Sequence, residues 1–143
     1  MMTIDEVQQE IIDEFSIFSD WMDKYAYIIE QGNNLPMLDD KYKTPENIIK
    51  GCQSRVWLQA DDKNGRLEFQ TESDALIVKG LLALVIRVFN NRTYDEILSA
   101  DLRFIKEIGL TDHLSPTRSN GLVSVIKQIQ FYAMAYKAKA QQS

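Results

Sequence analysis

The stretch ALIVKGLLALVIRVFN, residues 75–90, narrows the possible folds more than any other. It is apolar on most sides of a helix, and helices of that kind are buried rather than laid on a surface. Its longest uninterrupted apolar run, residues 81–86, is far too short to span a bilayer. The pattern therefore predicts a central helix around which the rest of the chain must pack, with Ser73 or Asp74 as its cap.

The residues just before it alternate. RVWLQADD places Val56, Leu58 and Ala60 on one face, and RLEFQTES does the same with Leu67 and Phe69. KNG at 63–65 is a strong hairpin turn, so a β-hairpin is expected over about 54–72. Ile48–Ile49 is the candidate for a short third strand. Residues 35–47, with two prolines and no period, read as a loop.

Helical patterns flank this unit. Thr3 and Glu6 form a capping box, and Ile4, Val7, Ile11, Phe15, Phe18, Met22 and Tyr25 then recur at spacings of three and four. A bend is expected at Ser19 or Asp20, with Ser19 capping a second helix to about Glu30 and Gly32 with Asn33 and Asn34 as its stop. Trp21, Tyr25 and Tyr27 follow the helical spacing and are expected in packing. Thr93 with Glu96 marks a further capping box, and Asp101 begins another helix that ends at Gly109. Ser115–Pro116 starts the last, which runs to about Lys139 and carries Leu122, Val125, Ile126, Ile129, Tyr132, Ala133 and Tyr136 on one face. The predicted architecture is one α+β domain over residues 1–143: several helices around a small antiparallel sheet of two to three strands.

Composition removes several function classes. At 143 residues, with 45% hydrophobic and 26% charged residues, the chain is ordinary for one globular domain. A net charge of −5 argues against a general nucleic-acid surface. The polar, acidic start MMTIDEVQQE has neither the basic nor the apolar segment of a signal peptide. The chain has one cysteine and one histidine, so it can build neither an internal disulfide nor a zinc or iron–sulfur site of its own. No phosphate-binding loop or dinucleotide fingerprint is present. The expectation is a cytoplasmic protein with no cofactor, no metal, no membrane contact and no nucleic-acid partner, either monomer or homodimer.

The lone cysteine, Cys52, lies in IIKGCQSRVW at 48–57, among polar and turn-forming residues. Gly51 lets the backbone turn there, and Lys50 and Arg55 flank the thiol. Nearby cations lower a thiol's pKa and burial raises it, so local chemistry leaves a reactive and an inert cysteine equally open. His113, in GLTDHLSP, reads as a loop residue and the only histidine that could pair with it. Arg118 falls in a helix's first turn, where the helix dipole disfavours a cation.

Four stretches in order then resemble one family. GCQSRVW at 51–57 resembles the cysteine-loop motif of the SufE family of sulfur-acceptor proteins. SDALIVKGL at 73–81 and LSPTRSNGL at 114–122 match further segments, and WMDKYAYIIEQGNNLP at 21–36 is similar to the family pattern W-x-x-[KR]-Y-x-x-[IL]-I-x-x-G. The resemblance covers roughly residues 12–138. It implies an α+β fold like that of the iron–sulfur scaffold protein IscU. It also implies that Cys52 accepts persulfide sulfur from a PLP-dependent cysteine desulfurase of the SufS type, stimulating it, and passes the sulfur to the SufBCD scaffold. The PLP belongs to the desulfurase. Gly51, Gln53, Ser54 and Trp57 would shape the loop, and Asp74 and Arg118 would set the loop and the partner surface. A CsdE-like acceptor for a paralogous desulfurase shares these motifs. A Cys52–His113 thiol hydrolase and a pure interaction module are the readings from other classes.

Overall fold

In a computed structural model, residues 2–142 are described, so Met1 and Ser143 of the expected 1–143 domain lie outside the described residues. Among them are seven α-helices and three strands: α1 (Ile4–Ser16), α2 (Trp21–Asn33), β1 (Val56–Lys63), β2 (Arg66–Ser73), α3 (Leu76–Phe89), β3 (Arg92–Thr93), α4 (Tyr94–Leu98), α5 (Phe104–Glu107), α6 (Leu110–His113) and α7 (Pro116–Gln141). Two 3-10 turns, Asp40–Tyr42 and Pro45–Asn47, interrupt the loop after α2. The architecture is α+β, as the sequence predicts. No helix of the described residues is long and apolar enough to cross a membrane.

The apolar helix is central. α3 buries Gly80, Leu81, Leu82, Leu84, Val85, Ile86, Val88 and Phe89 and packs against α1, α2, α7 and β2. Two glycines make its crossing with α2 unusually close. A Cβ on Gly80 would lie 2.1 Å from the Ile28 carbonyl oxygen, and one on Gly32 would lie 2.7 Å from the Gly80 nitrogen. α2 ends at the stop expected of Gly32, Asn33 and Asn34: Asn33 is its last residue and Asn34 its C-cap. Gly32 itself is still helical and serves the close approach to α3 rather than a turn.

The hairpin forms as read. Val56 pairs with Ser73 and Lys63 with Arg66. Asn64 and Gly65 both have positive φ, 56° and 88°, the signature of a type I′ turn. Val56, Leu58, Ala60, Leu67 and Phe69 face the core. The third strand is not the expected one. Ile48 makes a single bridge to Trp57, with the Ile49 N–H bonded to the Val56 carbonyl at 2.9 Å. The strand that completes the β1–β2–β3 order is Arg92–Thr93, too short for any alternation to show in sequence.

Capping accounts for the other differences. Both capping boxes form, at Thr3–Glu6 and Thr93–Glu96, and Ser115 accepts from the Arg118 N–H. Asp20, not Ser19, caps α2. The break before it takes Met22 off the buried stripe, and the side chain is 82% exposed. The helix expected from Asp101 begins only at Phe104. Its first amides are held by a distant residue, since the buried Gln8 Oε1 accepts from the N–H of Arg103 and of Phe104. α3 has no side-chain cap, so neither Ser73 nor Asp74 plays that part.

An ion-pair cluster ties α1, α2 and α3. Arg87 reaches Glu10 and Glu14, and the Tyr27 hydroxyl donates to Glu14. The Arg87 guanidinium holds the Glu14 carboxyl below its ordinary pKa.

We predict that Gly80→Ala destabilises the protein by about 1–3 kcal/mol, the scale of forced overpacking, because the added Cβ would meet the Ile28 carbonyl oxygen and carbon, backbone atoms that cannot rotate away, as well as Ile28 Cγ2. Urea denaturation measures this; a loss under about 0.5 kcal/mol, ordinary for surface changes, would mean that the crossing has slack.

Candidate functional site

Cys52 sits between the bridge at Ile48 and the start of β1, and its thiol points at α7. Sγ lies 3.5 Å from the Gly121 carbonyl oxygen, placed to donate to it. Gly121 is glycine on the face where the thiol rests, since a Cβ there would stand 3.3 Å from Sγ. Gly51 has φ +94°, and an added Cβ would meet the Ser124 hydroxyl at 2.7 Å. Two glycines thus seat the loop on α7, one in each partner.

The far end of the loop is tied to β2. Asp74 Oδ1 accepts from the Arg55 N–H at 3.1 Å, and the Asp74 N–H donates to the Arg55 carbonyl at 3.4 Å. The pair continues the β1–β2 register by one step, and the Asp74 side chain adds a bond to the loop. This is why Asp74 is not a helix cap: its carboxylate is already engaged by the cysteine loop.

Cys52, Gln53 and Ser54 line a cavity of about 450 Å³. α3 contributes Val78, Leu81 and Leu82, and α7 contributes Leu122, Val125 and, from its first turns, Arg118. Gln53, Ser54 and Arg118 are therefore brought together with the thiol. Trp57 is not. It lies on the outward face of β1, opposite Val56 and Leu58, where it bridges to Ile48 and the Lys43 ammonium stands over its ring. Nor do Ile48, Ile49 and Val56 form the cavity. Ile49 and Val56 are in the main core and Ile48 is 40% exposed. The apolar walls come from α3 and α7, which local context around Cys52 could not reveal. The only signal for them was that 73–81 and 114–122 matched one family together.

Burial pushes the Cys52 thiol above its ordinary pKa. The flanking Lys50 and Arg55 are exposed. A thiol that donates to a carbonyl is also favoured in its protonated form. Both effects favour the neutral thiol over the thiolate in this arrangement.

His113 is occupied elsewhere. It ends α6, not a loop; its ring stacks on Trp21 at 3.8 Å between centroids, and Nδ1 lies 3.1 Å from the Gly109 carbonyl. It does not line the cavity. Among the described residues, no cluster of three His, Cys, Asp or Glu side chains is placed to hold a metal.

Comparison with known proteins bears on the family and the fold. The model of the SufE family, described as an Fe-S metabolism associated domain, matches residues 9–133. The chain belongs to the SufE family. Relatives include an uncharacterized SufE-like protein of Rhizobium meliloti (strain 1021), 43% identical over 126 residues that span 85% of this chain and 90% of that one. A second, from Rhizobium etli, is 42% identical over 126 residues, 85% of each chain. A solution structure of a hypothetical protein from Thermus thermophilus superposes with a TM-score of 0.74, covering 96% of this chain and 97% of that one. At 17% identity it supports the SufE-like fold alone. Family membership ties the protein to iron–sulfur metabolism.

The loop's ties generate two predictions. Asp74→Ala removes the acceptor of the Arg55 N–H, a contact of order 1 kcal/mol, and is expected to speed amide exchange at residues 50–55 and alkylation of Cys52 severalfold; unchanged rates would mean that the carboxylate does not hold the loop. For the thiol itself, iodoacetamide reactivity of the folded protein should titrate at higher pH than that of the urea-unfolded chain. Because the folded pKa is the higher one, this contribution to stability is complete below the unfolded thiol's pKa and is lost as pH rises through the folded value. Coincident titrations would sink the claim that burial governs the thiol.

Proposed function

We propose that this protein is a sulfur acceptor for a PLP-dependent cysteine desulfurase of the SufS type, using Cys52 as the covalent carrier. It would stimulate the desulfurase by removing its sulfur and deliver that sulfur to the SufBCD scaffold for iron–sulfur cluster assembly. The observation that carries this reading is the seating of Cys52: the lone thiol rests on Gly121 at the wall of a cavity with both apolar and polar lining, in a loop with few ties.

The chemistry is thiol–disulfide exchange. The Cys52 thiolate attacks the outer sulfur of the desulfurase persulfide, a new S–S bond forms, and the donor cysteine leaves as its thiolate. A thiolate leaves readily, so the step needs no general acid, and His113 can remain against Trp21. PLP stays on the desulfurase, and the acceptor needs no cofactor of its own.

The resting thiol is disfavoured as a nucleophile by burial, so docking must draw it out. The loop then has two positions, tucked against α7 at rest and everted on the partner. Tucking the persulfide back shields it from the thiols of other proteins. A CsdE-like acceptor would perform the same steps with a paralogous desulfurase.

The test is intact-mass analysis after incubation with desulfurase and cysteine. We expect a gain of one sulfur atom, reversed by reductant, absent in Cys52→Ser and retained in His113→Ala. No adduct on the wild-type chain would end the carrier reading; loss of activity only in His113→Ala would favour the hydrolase. Hydrogen exchange over residues 48–57 should rise when desulfurase is added, and unchanged protection would count against eversion.

A further inference from the structure

The cavity beside Cys52 offers about 450 Å³ with the thiol already in place. One added sulfur atom needs a small part of that space, since a whole water molecule occupies roughly 30 Å³ in the liquid. The volume instead falls within the range of small-molecule sites, which starts at about 300 Å³.

The lining is of two kinds. Leu81, Leu82 and Val125 are apolar and buried, whereas Ser115, Thr117 and Arg118 bring hydroxyls and a guanidinium. Arg118 stands three residues before Gly121, hence one turn away on the same helix face, at about 5–6 Å between Cβ positions. Gly121 carries the carbonyl that the thiol touches. Among the described residues, the Arg118 side chain has no ion-pair or hydrogen-bond partner. A guanidinium recognises a carboxylate through two parallel N–H bonds. A cavity lined both by a thiol and by an exposed, unpaired guanidinium suits a short thiol bearing a carboxylate.

We infer that this cavity admits a low-molecular-weight thiol carrying a carboxylate, about the size of free cysteine, and that such a thiol removes the outer sulfur from loaded Cys52. This rests on the carrier reading above. The small thiolate attacks the outer sulfur of the Cys52 persulfide. A bond forms between the two, the bond from Sγ to the outer sulfur breaks, and Cys52 leaves as a thiolate that takes up the proton the small thiol gave up. The balance is Cys52–SSH + RSH → Cys52–SH + RSSH, with no net oxidation or reduction. A protein acceptor must draw the loop away from α7 to reach this sulfur. A small thiol reaches it in the tucked position, giving the carrier a second outlet.

The protein is loaded with desulfurase and cysteine, desalted and checked by intact mass; a chain that never gains sulfur overturns the carrier reading and this inference together. Loaded protein is then mixed with 3-mercaptopropionate or 2-mercaptoethanol at equal thiolate concentration. Loss of the extra sulfur is timed by mass, and the product persulfide is trapped with monobromobimane. 3-Mercaptopropionate should unload the protein about tenfold faster, the scale of one charge-assisted contact. The advantage should vanish in Arg118→Ala and survive in part in Arg118→Lys. Equal rates with the wild-type chain, a comparison that needs no variant to fold, would overturn the inference. So would an undiminished advantage in Arg118→Ala.

Discussion

The close crossing of α2 and α3 is the constraint from which the rest of the molecule is built. Gly32 and Gly80 bring the two backbones together at distances that no side chain would allow. With that side of α3 committed to α2, the residues on either side of Gly80 are left to face elsewhere. Val78, Leu81 and Leu82 become a wall of the cysteine cavity, and the later turns of the helix reach β2 and the main core. A helix buried on nearly every side has little freedom to shift, so the cavity wall inherits its rigidity.

Against that rigid wall, the cysteine loop is lightly held. The hairpin beside it has a full ladder of eight residue pairs, while the loop relies on the Asp74–Arg55 pair, one bridge at Ile48 and the thiol's own contact with Gly121. Local opening draws on segments with few buried contacts and few backbone bonds. Such a contrast lets a thiol change position without disturbing the core. In the arrangement seen, burial and a carbonyl acceptor both favour the protonated thiol, and both would be lost if the loop left α7.

Much of the fold was legible because its signals are local. The capping boxes at Thr3 and Thr93, the Asn64–Gly65 turn and the Ser115–Pro116 start depend on residues within a few positions of one another, and each forms. The misreadings share a different cause. The packing role of Gly32, beside its place at the end of α2, was hidden because its partner, Gly80, lies far along the chain. Phe104, rather than Asp101, begins α5 because Gln8 reaches across from α1 to hold its amides. Asp74 looked like a helix cap, yet its carboxylate is taken by Arg55 across the hairpin. The strand Arg92–Thr93 has too few residues to show a period at all.

The sequence by itself determined the α+β class, the central helix, the hairpin and its turn, and the family, since periodicity, turn chemistry and short motifs are written in neighbouring residues. It also placed Cys52 among residues that set it apart, but left open whether the thiol was reactive or inert. Only the tertiary structure decided what surrounds that thiol. Gly121 of α7 touches it, Arg118 of α7 and Leu81 and Leu82 of α3 line the same cavity, while Trp57, five residues away in sequence, turns to the opposite face of the sheet. The physical reason is that strand alternation fixes a direction for each side chain locally, whereas a cavity exists only where separate elements fail to fill the space between them.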